Sequence, residues 1–139
     1  MTGKTLEGGC LCGAVRYRIT GAPVMASVCH CALCRRASAA SSIAWAMFRK
    51  EQVVFDNPPA SYVSSTVGRR SYCPACGTQL SLSASDLPGL IDITIGSLDN
   101  PEAIRPTQHY WGTRRVPWVR YAYSAPGTAE SARVAEVEG

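Results

Sequence analysis

The chain has 139 residues, of which 46% are hydrophobic and seven are cysteine, and it carries a formal charge of +4. That length suits one domain with its own core, and the composition excludes a disordered chain. No apolar run reaches membrane-spanning length, and the start leads into Gly8-Gly9-Cys10 without an apolar signal core, so a cytoplasmic protein with no membrane partner is expected. The charge does not argue for nucleic acid, because no recognition motif accompanies it and no basic run exceeds two residues. With the cysteines bound to two zinc ions as thiolates, the net charge falls to about +1.

Period-two patterning dominates the chain. In residues 13–20, Val15, Tyr17 and Ile19 share one face while Arg16, Arg18 and Thr20 share the other, the signature of a half-buried strand. Further strands are predicted at residues 24–29, 42–48, 52–55, 61–65, 70–73, 79–83 and 90–96. Breaks fall at Gly21-Ala22-Pro23, Asn57-Pro58-Pro59, Leu87-Pro88-Gly89 and Asn100-Pro101. Many short strands with Gly/Pro turns predict an all-β domain over residues 1–123. The only helical candidate is a short turn over residues 35–38. From 124 to 139 the chain is rich in Ala, Ser, Gly and Glu, which reads as a terminal extension. A neighbouring copy of the chain, in a homo-oligomer, is one way to order it.

Every cysteine belongs to a tight cluster: Cys10-Leu11-Cys12, Cys29-His30-Cys31-Ala32-Leu33-Cys34 and Cys73-Pro74-Ala75-Cys76. Structural zinc sites take four protein ligands, and catalytic sites take three and keep one position open. Seven cysteines divide naturally as four and three. Cys73 to Gly77 is a zinc-knuckle pattern: the two-residue spacer lets both sulfurs curl onto one ion, and Pro74 pre-sets the turn. Cys10 and Cys12 alternate on an extended segment, so both sulfurs face the same way. One intervening residue would strain a disulfide between them. Four thiolates from two distant segments predict a closed zinc site, although iron suits the same ligands.

The middle cluster is a tripod. Cys29 and Cys31 share a direction, and the turn to Cys34 brings in the third sulfur, leaving a fourth position for water or a thiol. Alternation points His30 away from the metal, toward packing or hydrogen bonding. The competing reading closes this site with His30, His109 or a carboxylate. Arg35 and Arg36 follow directly and either compensate thiolate charge, grip a substrate carboxylate or solvate the surface. Arg69 and Arg70, which precede the knuckle, could serve similarly, but there surface solvation is the leading expectation. A three-ligand site open to solvent is expected to release its ion before the closed site does.

Four blocks together carry a resemblance. They are Gly8-Gly9-Cys10-Leu11-Cys12-Gly13-Ala14-Val15-Arg16-Tyr17, the stretch from Cys29 to Arg36, Tyr72-Cys73-Pro74-Ala75-Cys76-Gly77-Thr78, and Ile93-Thr94-Ile95-Gly96-Ser97-Leu98-Asp99. In order and spacing the chain resembles the glutathione-dependent formaldehyde-activating enzyme family, which includes the centromere protein V-like domains. The resemblance implies tent-like stacked antiparallel sheets stapled by a structural zinc on Cys10, Cys12, Cys73 and Cys76. It also implies a second zinc on Cys29, Cys31 and Cys34, whose free position receives the glutathione thiol. The family usually reads Ser-Gly-Ala where this chain reads Ser38-Ala39-Ala40. Losing that glycine is expected to narrow the backbone path beside the metal. The stretch from His109 to Trp118 fits the family only loosely.

Two functional readings follow. One is a zinc-dependent carbon–sulfur lyase or synthase, like S-hydroxymethylglutathione synthase, acting on an adduct of formaldehyde with glutathione or a similar thiol. In it Cys29, Cys31 and Cys34 are the catalytic zinc ligands, and Arg35 and Arg36 bind the substrate's carboxylates. Trp45 and Tyr72 are candidates for packing its stem, and His109 is a possible proton shuttle. The other reading is a non-catalytic, zinc-stabilised module that binds a thiol or a protein.

Overall fold

The computed structural model describes residues 4–120. The proposed extension at 124–139, and the domain boundary before it, lie outside the described residues. Ten strands and one short helix follow in the order β1 (Thr5–Gly9), β2 (Arg16–Thr20), β3 (Met25–Cys29), α1 (Ala32–Ser38), β4 (Ile43–Arg49), β5 (Val53–Phe55), β6 (Ala60–Val63), β7 (Gly68–Tyr72), β8 (Gln79–Ala84), β9 (Leu90–Thr94) and β10 (Gln108–Tyr110). Short 3-10 turns occur at Lys50–Gln52, Ile95–Ser97, Pro101–Ala103 and Gly112–Arg114. None of the described helices is long and apolar enough to cross a membrane.

The strands form two sheets. A three-stranded sheet runs β1-β2-β5, and a seven-stranded sheet runs β10-β3-β4-β9-β8-β7-β6. All pairings are antiparallel except that of β10 with β3, which is parallel. The expected alternation in β2 holds: Tyr17 and Ile19 are buried and Arg18 is exposed. Those two residues pack with Ala26, Ala46, Phe48, Leu80 and Ile93, so the small sheet covers one face of the large one.

The opposite face of the large sheet carries the first cysteine of the three-cysteine cluster. Residues paired across antiparallel strands share a face. Arg70 lies opposite Leu82, Leu82 opposite Asp92, Asp92 opposite Met47, and Met47 opposite Met25. The adjacent row sets Ser27 opposite Trp45. One step further along β3 stands Cys29.

β1 and β10 escape sequence reasoning. β1 ends in two glycines, poor strand formers, and is held by tertiary contact: Gly8 pairs with Leu98 and lies against Tyr17. β10 has only three residues, too few to show a period. Tyr17 Oη hydrogen-bonds Ser97 Oγ at 2.7 Å, and Arg16 Nη1 donates to Asp99 Oδ1 at 2.9 Å. The first and fourth sequence blocks are thereby joined.

A Cβ on Gly8 would sit 2.6 Å from the Ser97 carbonyl oxygen, a backbone atom that cannot swing aside, and closer still to the Tyr17 ring. Gly8→Ala is therefore expected to destabilise the fold by about 1–3 kcal/mol, lowering Tm by roughly 5–10 °C in thermal unfolding.

Candidate metal centres

All seven cysteines are free thiols, and their sulfurs gather into two groups. In the first, the sulfurs of Cys10, Cys12, Cys73 and Cys76 lie within 4.8 Å of one another. Cys10 and Cys12 are 3.6 Å apart at sulfur, and Cys12 and Cys73 are 3.8 Å apart. Tetrahedral zinc with sulfurs at ~2.3 Å requires sulfur separations of about 3.8 Å, so this donor set fits the ion.

Local backbone chemistry shapes that centre. Gly13 and Gly77 take φ of +83° and +82°, the left-handed conformation that turns each cysteine loop back on itself. Val15 N–H donates to Cys10 Sγ at 3.2 Å, and Ala75 and Cys76 N–H donate to Cys73 Sγ at 3.4 Å. The Thr78 hydroxyl lies 3.3 Å from Cys76 Sγ and accepts from Leu11 N–H at 3.0 Å, joining the two loops. The hydroxyl and backbone N–H of Thr78 hold the Cys76 thiol down at about 5.

The second group is Cys29, Cys31 and Cys34, again with sulfurs within 4.8 Å. Cys31 is the N-cap of α1: its sulfur accepts from Cys34 N–H at 3.2 Å. This cap starts the helix at Ala32, earlier than the predicted turn at 35–38. Arg70, only 4% exposed, places Nη2 3.6 Å from Cys34 Sγ. It also donates to Ser64 Oγ and Gln79 Oε1 at 3.1 and 3.0 Å. Hydrogen bonds from Cys29 and Cys31, with the charge of Arg70, hold the Cys34 thiol well below its ordinary range against the opposing effect of burial. The same sharing, with burial, pushes Cys29 up. A divalent ion on three thiolates leaves one negative charge, which the Arg70 guanidinium offsets, so the charge balance also fits a metal.

This centre is open in its ligand count but not to solvent, which corrects the expectation drawn from the sequence. Cys29, Cys31 and Cys34 are 5%, 1% and 2% exposed, whereas Cys12 of the four-sulfur centre is exposed. Access favours attack on the four-sulfur centre and ligand number favours attack on the tripod, so the order of metal release no longer follows from ligand number alone. Among the described residues neither a histidine nor a carboxylate joins the three sulfurs as a fourth donor within that distance. His30 instead points to His109, with Nε2 2.9 Å from Nδ1, and both rings are buried. Burial, then the charges of His109, Arg115 and Arg35, lowers His30 to about 4. Burial and Arg115 lower His109 as well. Two neutral rings sharing one N–H thus tie the tripod loop to β10.

The predicted arginines diverge. Arg35 Nε donates to the His30 carbonyl at 3.2 Å and braces the loop. Arg36 is exposed and lines a groove of about 540 Å³ with Leu33, Tyr62, Arg70 and Tyr72. Trp45 is buried against the tripod. Sequence reasoning named Arg70 with Arg69 but favoured surface solvation for both, because nothing local separates them; only its register with Leu82 places Arg70 in the interior. Ala39, at the usual glycine position, has φ of 54° and caps α1 by donating its N–H to the Arg35 carbonyl. A left-handed helix cap by itself accounts for a glycine preference there.

Fold and site together define a two-sheet β protein with a four-sulfur and a three-sulfur cysteine centre. The family model of the glutathione-dependent formaldehyde-activating enzyme matches residues 5–114, and the chain belongs to that family. A crystal structure of a Rhodobacter sphaeroides protein shares the fold with a TM-score of 0.57 and 22% identity, over 70% of this chain and 93% of that one. No curated protein matches the chain in sequence.

Two outcomes are expected. Arg70→Gln should weaken metal binding at the tripod by roughly 10–100-fold and leave the four-sulfur centre unchanged, measured by chelator competition in which the second site is an internal control. Ala39→Gly should relieve the left-handed strain and raise stability by about 0.5–1 kcal/mol in denaturant unfolding.

Proposed function

We propose that the protein is a zinc-dependent carbon–sulfur lyase or synthase that joins formaldehyde to glutathione, or to a similar thiol, and reverses that step. The observation that carries this reading is the tripod: three buried sulfurs with no fourth protein donor among the described residues, beside a charge-balancing arginine. Family membership supports the same reading. A zinc ion held by Cys29, Cys31 and Cys34 would supply Lewis acidity and lower the pKa of an incoming thiol.

The chain's own residues give that thiol a path. The groove beside the tripod offers the exposed Arg36 to a carboxylate and the rings of Tyr62 and Tyr72 to an extended stem. It reaches the centre through Arg70, which lines the groove and touches Cys34. Arg35, with Nε donating to the His30 carbonyl, is the second candidate for a carboxylate of the thiol. In the reaction, sulfur gives up its proton and bonds to the aldehyde carbon. The carbonyl π pair moves to oxygen, which takes up one proton. The lyase direction reverses each step.

The deep burial of the tripod favours a second reading, a non-catalytic module in which both centres are structural and the groove binds a thiol or a protein. Thiols add to formaldehyde unaided, so the test is exchange between formaldehyde and S-hydroxymethylglutathione, followed by NMR. Wild type is compared with Cys31→Ser at equal free zinc. The wild type should exceed the variant on the order of 100-fold or more, the scale of removing one preorganised group from an active site. Equal rates sink the enzyme reading, and a stable glutathione complex without turnover puts the binding module ahead.

A further inference from the structure

We propose that a small chamber on the tripod side of the large sheet is the aldehyde subsite, with Trp45 binding the carbonyl oxygen and Met47 limiting the aldehyde's size. The inference rests on the function just proposed and adds the residues that select its second substrate. The chamber measures about 30 Å³ and is lined by the three tripod cysteines together with Met25, Ser27, Trp45, Met47, Leu82, Asp92 and Tyr110. A space of that size takes a water-sized or one-carbon molecule and excludes a peptide. The thiol and the aldehyde therefore need separate approaches, one along the groove and one in the chamber.

The walls mix polar side chains with apolar ones, unlike a purely apolar packing void. Ser27 and Asp92 are each 5% exposed, and both line it. The indole N–H of Trp45 is buried and has no hydrogen-bond partner among the described residues. Leaving such a donor unpaired is unfavourable, and a ligand oxygen in the chamber would satisfy it. Strand register explains the arrangement, since Ser27 and Trp45 lie opposite each other, with Met47 between Met25 and Asp92 in the next row.

The ligand these walls fit is small, uncharged and an acceptor. Asp92 disfavours anions, and the Trp45 N–H and the Ser27 hydroxyl can donate to a carbonyl oxygen. That oxygen gains negative charge as sulfur bonds to carbon, so donors fixed in a dry site act most strongly at that point. The π pair of the carbonyl becomes the oxygen lone pair, and the proton released by the thiol balances the one the oxygen takes up. Met47 closes the chamber against longer aldehydes.

The test uses the zinc-loaded full chain with nitrogen-15 in its tryptophans, and formamide as an inert one-carbon carbonyl probe. The indole resonance of Trp45, assigned by its loss in Trp45→Phe, should move on titration while those of Trp111 and Trp118 stay fixed. Trp45→Phe should lower kcat/KM for formaldehyde about 10-fold or more at unchanged zinc content and Tm. Met47→Ala should raise the acetaldehyde-to-formaldehyde ratio of kcat/KM by roughly tenfold. Wild-type turnover combined with an unmoved Trp45 resonance and an unchanged aldehyde ratio overturns the subsite and leaves the proposed function standing. Absence of wild-type turnover sinks the function itself. The Trp45 resonance then decides whether the chamber binds a carbonyl: a shift supports the subsite, and no shift overturns it.

Discussion

Four sulfurs from opposite halves of the chain must meet within a few ångströms, and much of the architecture follows from that requirement. Cys10 and Cys12 leave the end of β1, while Cys73 and Cys76 form the connection between β7 and β8. Bringing them together clamps the small sheet onto the large one near its far edge. The clamp is reinforced beside the metal centre by the Leu11 to Thr78 hydrogen bond and on the flank by Tyr17 with Ser97. A core of modest size gains rigidity from such a tie, because a metal that binds only the folded arrangement contributes its binding free energy to folding.

With one face of the large sheet committed to that core, the other is free for chemistry. Its strands place polar and ionisable side chains among apolar ones in fixed rows, and β3 ends at the first tripod cysteine. The tripod loop is held from three directions. Arg35 braces the His30 carbonyl, the His30 N–H donates to the Tyr110 carbonyl, and the two histidine rings meet behind it. His30 thus positions its cysteine neighbours without being a ligand.

Electrostatics explains why three cysteines can be buried so completely. Three thiolates in a low-dielectric setting would repel one another and lose their hydration. Hydrogen bonds within the tripod and the charge of Arg70 hold Cys34 low, while the same sharing and burial push Cys29 up. With a divalent ion bound, the same arginine balances the remaining charge.

The two cysteine groups were legible in the sequence because they are local. Cysteine spacings of one and two residues constrain where sulfurs can point, whatever the rest of the chain does, and alternation located most strands and sent His30 away from the tripod. The glycine-ended β1 and the three-residue β10 carry no such period and exist through their partners. The same is true of the site's remaining parts. Arg70 is indistinguishable from Arg69 in sequence, Ser27, Trp45 and Asp92 are strand residues far apart in the chain, and the left-handed conformation of Ala39 is seen only with its helix cap. Their roles depend on strand register and burial, which are settled by long-range packing, and so only the tertiary structure decided them.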